Sequence, residues 1–123
     1  MKLQELVELL KAKVYTNNYE PEREIEYAFS CDLMSDALML LRNVPFDFTE
    51  KGVLVTGLVT IQGVRTAEML DLEILLLVRG KKPNEAVIEA AEQSNIILLS
   101  TEYTMFSSNG RMFNAGIRGI SEL

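Results

Sequence analysis

The sequence predicts a single α/β domain, residues 1–123, built on a mostly parallel open β-sheet with helices on both faces. Three observations predict it. The runs Val53–Val55, Ile74–Val78 and Ile96–Leu99 are apolar throughout, as strands buried on both faces are. Amphipathic stretches of about ten residues separate them, the spacing of crossover helices, which are expected to be right-handed. The chain has 123 residues, 48% of them hydrophobic, enough for one self-sufficient core and far from a disordered composition.

Taken in order, Leu3, Leu6, Val7 and Leu10 repeat at i, i+3, i+4 and i+7, with Lys2, Glu5, Glu8 and Lys11 opposite them. This is an amphipathic helix whose stripe packs a core or a dimer seam. Lys13-Val14-Tyr15 reads as a short edge strand, and Thr16 to Glu24, with Asn17-Asn18 and Pro21, as a loop. Ile25 to Cys31 is an apolar strand. Asp32 stands where an N-cap belongs, ahead of the helical pattern Met34, Ala37, Leu38 and Leu41. Asn43 to Gly52, with Pro45, reads as another loop. The strand Val53–Val55 ends in Thr56-Gly57, and the helix after it presents Ile61, Val64, Ala67 and Leu70 to the core. The strand beginning at Glu73 ends in Arg79-Gly80, and Pro83 suits the first turn of the next helix, which carries Ala86, Val87, Ala90 and Ala91. The strand Ile96–Leu99 ends in Ser100-Thr101. Glu102 to Gly116 is helical in pattern, although Gly110 and Ser107-Ser108-Asn109 threaten its continuity.

Composition removes whole classes of function. The net charge is −6, and no basic stripe is present, so nucleic acid is not an expected partner. Arg79-Gly80-Lys81-Lys82 and Lys11-Ala12-Lys13 read as solvated turns. The chain contains no histidine, which excludes Ser-His-Asp and Cys-His nucleophile systems and HExxH zinc sites. Cys31 is the single cysteine, which precludes an intrachain disulfide and thiolate clusters and fits a reducing, cytoplasmic setting. In its apolar strand it reads as an inert buried thiol. No P-loop, no GxGxxG and no apolar run long enough to span a bilayer occurs. No membrane association, metal, cofactor or enzymatic activity is expected. Methionines 34, 39, 69, 105 and 112 fall on helical segments, where they fill a core or form a plastic docking surface.

Ligands of open parallel sheets bind outside the carboxyl ends of the strands. Those ends are Thr56-Gly57, Arg79-Gly80 and Ser100-Thr101, with Thr104 one helical turn further on. Glycine admits close approach to the backbone, a following helix offers free N–H groups to an anion, and Arg79 can grip a carboxylate or phosphate with two parallel bonds. The same residues equally serve as turn formers and helix caps. Thr56, Gly57, Arg79, Gly80, Ser100, Thr101 and Thr104 are therefore the candidate ligand-binding residues.

The segment from Val53 through Phe106 resembles the DRTGG domain family. The matching pieces are Val55-Thr56-Gly57 before a helix, the strand ending at Arg79-Gly80 with Pro83 following, and Leu99-Ser100-Thr101-Glu102-Tyr103-Thr104. Ser30-Cys31-Asp32-Leu33-Met34-Ser35-Asp36 is similar to a segment of small stand-alone members. Leu58-Val59-Thr60 stands where the family has its Asp-Arg pair, and Arg79-Gly80 where it has Gly-Gly. A ligand contact made by that pair does not transfer, whereas Gly57, Gly80, Ser100, Thr101 and Thr104 do. The resemblance implies a regulatory accessory domain, of the kind attached to phosphate acetyltransferases or set among the CBS domains of some pyrophosphatases. It implies likeness to the non-kinase part of HPr kinase, an association with hydrogenases for stand-alone members, and a homodimer.

The expected function is a non-enzymatic regulatory module sensing a nucleotide or other small anion, or binding a protein partner. The alternatives are an accessory subunit in phosphoryl or acyl-phosphate metabolism and a purely structural protein–protein scaffold.

Overall fold

A computed structural model describes residues 1–123. The elements, in chain order, are α1 (Leu3–Leu10), β1 (Lys13–Val14), β2 (Tyr27–Ser30), α2 (Met34–Leu41), α3 (Phe46–Glu50), β3 (Gly52–Thr56), α4 (Ile61–Met69), β4 (Ile74–Leu77), α5 (Glu85–Gln93), β5 (Ile97–Ser100) and α6 (Met105–Asn114). A short 3-10 turn, Ile120–Glu122, follows. No helix is long and apolar enough to cross a membrane.

The sheet runs in the order β1-β5-β4-β3-β2. Strands β2 to β5 are parallel, and β1 pairs antiparallel with β5 at Lys13↔Ser100 and Val14↔Leu99. Side chains alternate between the two faces with the period of a strand. Leu54, Leu75, Leu77 and Leu98 join Met34, Ala37, Leu41, Val64, Ala67, Val87 and Ala91 in one core, beneath α2, α4 and α5. Val53, Val55, Ile74, Leu76, Ile97 and Leu99 join Leu3, Leu6, Leu10 and Met112 in the other, beneath α1 and α6. The predicted fold class is the one observed.

Several elements differ from the sequence expectation. Asn43–Gly52 is not all loop: Pro45 opens the five-residue helix α3, and Phe48 within it is completely buried, stacked on Tyr27 with ring centroids 5.1 Å apart. One turn of helix is too short to show a period. Asp32 does not cap α2. Leu33 holds that position without a side-chain bond, because the Asp32 carboxylate points to β3 instead. Ile61 is exposed at the start of α4, and Val64, Thr66 and Ala67 bury that helix in its place. Pro83 precedes α5, whose cap is Asn84, accepting from Val87 N–H at 3.0 Å. Helix α6 runs unbroken through Gly110. Met34 and Met112 are core residues, while Met39 and Met69 face solvent.

Phe48→Ala should destabilise the domain by about 3–5 kcal/mol, the usual cost of deleting a buried aromatic ring. Urea unfolding followed by circular dichroism measures it. A loss under about 1 kcal/mol would mean that α3 does not anchor the sheet edge.

Candidate functional site at the carboxyl end of the sheet

Strands β2, β3 and β4 each feed a helix on the α2–α4–α5 face, whereas β5 feeds α6 on the opposite face. The chain exits of β4 and β5 therefore diverge, which makes the crevice where ligands of open α/β sheets bind. Arg79 and Gly80 leave β4 in left-handed conformations, φ 64° and 68°. That turn aims the Arg79 N–H at the Tyr103 carbonyl, 2.8 Å, and the Gly80 N–H at the Thr101 carbonyl, 2.9 Å. It ties the two exits together past the end of the strands. The Gly80 position also lacks room, since a Cβ there would lie 2.5 Å from the Glu102 Oε2.

The residues singled out in the sequence divide into two groups on either side of β4. On the β3 side, Thr56 Oγ1 donates to Asp32 Oδ1 at 3.3 Å, and Gly57 N–H donates to the same oxygen at 2.6 Å. The Arg79 guanidinium lies over Gly57, with Nη2 3.5 Å from its carbonyl. An added Cβ on Gly57 would meet Nη2 at 2.5 Å, so glycine is what lets the arginine lie there. On the β5 side, Ser100 Oγ donates to the Lys81 carbonyl at 2.6 Å, and Thr101 Oγ1 donates to the Leu10 carbonyl at the end of α1. Thr104 is exposed and caps α6, its Oγ1 accepting from Ser107 N–H at 3.4 Å. The hydroxyls are thus engaged in holding the end of the sheet together, and Arg79 has a carbonyl partner in Gly57 but no ion pair.

Sequence reasoning overlooked two features. The first is the role of Asp32, a solvent-exposed carboxylate that accepts from the Gly57 N–H. Beside it, Cys31 is only partly buried, with its Sγ donating to the Leu33 carbonyl at 3.4 Å. Burial pushes this thiol above its usual range, and the Asp36 and Asp32 charges add to the rise, so the thiolate is scarce at neutral pH. The second is a polar cleft of about 430 Å³ lined by Lys11, Lys13, Tyr15, Lys82, Pro83, Ser100, Thr101 and Glu102. Ser100 and Thr101 pointed toward it, but the lysines come from chain segments about seventy residues apart. Only the antiparallel pairing of β1 on β5 brings them together.

Charge is distributed unevenly between the two ends of the sheet. At the amino end three cations are paired, Lys2 with Glu22 at 2.8 Å, Arg23 with Glu73 at 2.8 Å and Lys51 with Asp47 at 3.3 Å, whereas Arg42 after α2 and Arg118 beside the start of β2 make no ion pair. Hydrogen bonds to Glu22 and to Asp47 raise the pKa values of Lys2 and Lys51 respectively. At the carboxyl end Lys11, Lys13, Arg79, Lys81 and Lys82 form no ion pair. The carboxylates near them are Asp32 and Glu102, with Asp36 and Glu85 in the first turns of α2 and α5.

These features define a three-layer α/β domain with a polar, cation-rich crevice at the carboxyl end of a parallel sheet. A solved structure shares the fold: the CBS and DRTGG domains of the regulatory region of Clostridium perfringens pyrophosphatase, complexed with the activator diadenosine tetraphosphate. It matches with a TM-score of 0.70 at 17% identity, over 90% of this chain and 45% of that one. This chain therefore spans less than half of its structural neighbour, and at such identity the likeness establishes the fold. No protein-family model and no curated protein matches the chain.

Asp32→Ala would leave the Gly57 N–H without its charged acceptor and should cost about 1–3 kcal/mol. Asp32→Asn, which keeps an acceptor oxygen, should cost less. Denaturant midpoints of the two variants compare them, and equal stability of Asp32→Ala and wild type would rule out the bond as a fastening of β3 to the start of α2.

Proposed function

We propose that this domain is a non-enzymatic, cytoplasmic regulatory module that binds a small anionic ligand, such as a nucleotide, at the carboxyl end of its sheet. The observation that carries the reading is the segregation of charge. In a chain of net charge −6, Lys2, Arg23 and Lys51 at the amino end are paired with carboxylates, while three lysines without an ion pair, Lys11, Lys13 and Lys82, line the crevice at the carboxyl end. Unpaired cations in a concave site raise the local concentration of anions. The fold likeness to the regulatory region of a pyrophosphatase and the resemblance to DRTGG domains both support a regulatory role over a catalytic one. Thr56, Gly57, Arg79, Gly80, Ser100, Thr101 and Thr104 form or frame the proposed edge.

A second reading, docking of a protein or of a second copy of the chain, is favoured by an apolar groove of about 710 Å³ between α2, α3 and the end of α4. Met39, Phe46 and Met69 line it and are 63%, 75% and 69% exposed, a concentration of apolar surface that marks interaction sites.

A thermal-shift screen with adenine nucleotides, acyl phosphates, phosphate and dicarboxylates tests the first reading. A ligand present at a hundred times its Kd stabilises by about 2.7 kcal/mol, which raises the Tm of a domain of this size by several degrees. Adenosine, which carries no charge, should not. If no anion moves the Tm, the anion-binding function is wrong. Sedimentation velocity addresses the second reading, since a profile holding only a 13.9 kDa species would remove the homodimer.

A further inference from the structure

We propose that the cleft between β5, β1 and the start of α5 is a binding site for a short phosphate chain, held by Lys11, Lys13 and Lys82. The inference rests on the anion-binding reading above and narrows it to one side of β4 and one ligand chemistry.

The cleft is lined by three lysines from separate parts of the chain: Lys11 ends α1, Lys13 opens β1, and Lys82 precedes α5. All three lysines are exposed and make no ion pair. None of the three ammonium groups donates a hydrogen bond to another side chain, so holding the fold does not require their charge. Their positions, in contrast, are well fixed. Lys11 sits in a left-handed turn, φ 49°, that closes α1. Lys13 lies directly across from Ser100 in the sheet, with its Nζ 4.9 Å from the centre of the Tyr15 ring. Lys82 is followed by the buried Pro83 and stands two residues before the cap of α5, whose N-terminal dipole adds to the positive field.

The lining selects the ligand class. One of its eight residues is hydrophobic, so nothing here receives a large apolar body, and a volume of about 430 Å³ falls within the range of small-molecule sites. Lysines bind phosphate as point charges, without the fixed two-bond geometry of an arginine fork. Three lysines distributed around the cleft suit an anion with several charged groups in sequence, as in pyrophosphate, tripolyphosphate or the tail of a nucleoside polyphosphate. Glu102 is the one carboxylate of the lining, and it lies back against Gly80. Glu85 follows in the first turn of α5. The lysines outnumber them.

The test is isothermal titration calorimetry of the full chain with tripolyphosphate in phosphate-free buffer. Binding should weaken about tenfold with Lys11→Gln and again with Lys82→Gln, the scale of one charge-assisted hydrogen bond each. Lys82→Arg should bind more tightly than Lys82→Gln, Glu102→Gln should tighten binding, and higher ionic strength should weaken it. Arg65→Gln, which makes the same charge change on α4, should leave it unaltered. Unchanged affinity in the lysine variants together with loss in Arg79→Ala would overturn the cleft and leave the wider anion-binding reading standing. So would binding of other anions when tripolyphosphate does not bind. If no anion binds at all, both fail.

Discussion

The central strands β3, β4 and β5 are apolar on both faces, and the residues from Val53 to Val55, Ile74 to Leu77 and Ile97 to Leu99 are at most 2% exposed. That single constraint dictates the architecture. A sheet apolar on both sides must be covered on both sides, and the chain supplies α2, α4 and α5 for one face and α1 and α6 for the other. Burial on this scale supplies most of the folding free energy, at about 25 cal/mol per Å² of apolar surface. It also confines polar chemistry to the places where strands end. The functional question is thereby reduced to the two rims of the sheet.

The rims have been given different work. At the amino end, Arg23 bonds both the Glu50 carbonyl and the Glu73 carboxylate, and Lys51 lies between Glu26 and Asp47. These contacts join the starts of β3 and β4 to the loop before β2 and pair Arg23 and Lys51 with carboxylates. Exposed pairs of this kind contribute only about 0–1 kcal/mol each, so their effect lies more in neutralising that rim than in stabilising the domain. The carboxyl rim is fastened by different means: backbone bonds across the Arg79–Gly80 turn and hydroxyl-to-carbonyl bonds from Ser100 and Thr101. Neutral fastenings leave the nearby cations available for a ligand.

How much of this is legible in the sequence depends on whether a feature is local. The apolar runs and the heptad-like spacing of Leu3, Leu6 and Leu10 declare strands and helices because their period lies within one segment. Helix α3 escaped notice because five residues show no period, and Phe48 looks like any loop aromatic until Tyr27 is laid against it. Thr56-Gly57, Arg79-Gly80 and Ser100-Thr101 could be placed at one edge by the rule for parallel sheets alone. Their division into two sides could not, since it depends on α6 crossing to the opposite face from α5. Asp32 read as a helix cap because the rule for caps sees only the following residues. Its actual partner, the Gly57 N–H, is 25 positions away. The lysines of the cleft read as solvated turns for the same reason, with β1 and β5 at opposite ends of the chain.

The two sides of the rim follow one electrostatic principle with opposite outcomes. At the end of β3 the backbone offers a donor of the sort that binds anions elsewhere, the Gly57 N–H, and the chain has filled that place with its own carboxylate at 2.6 Å. An external anion there would have to displace Asp32, whose local concentration is set by a tether of 25 residues within a folded domain, and no soluble ligand competes easily with such a neighbour. At the end of β5 the donors are side-chain ammonium groups, and the Glu102 carboxylate that could have filled the same role lies against Gly80 instead. Gly80 is thus doubly constrained, by its left-handed φ of 68° and by the carboxylate packed where a Cβ would be. The difference between a closed half-site and an open one then comes down to where two carboxylates rest: Asp32 on a backbone donor, Glu102 against Gly80 without an ion pair to the lysines that share its cleft.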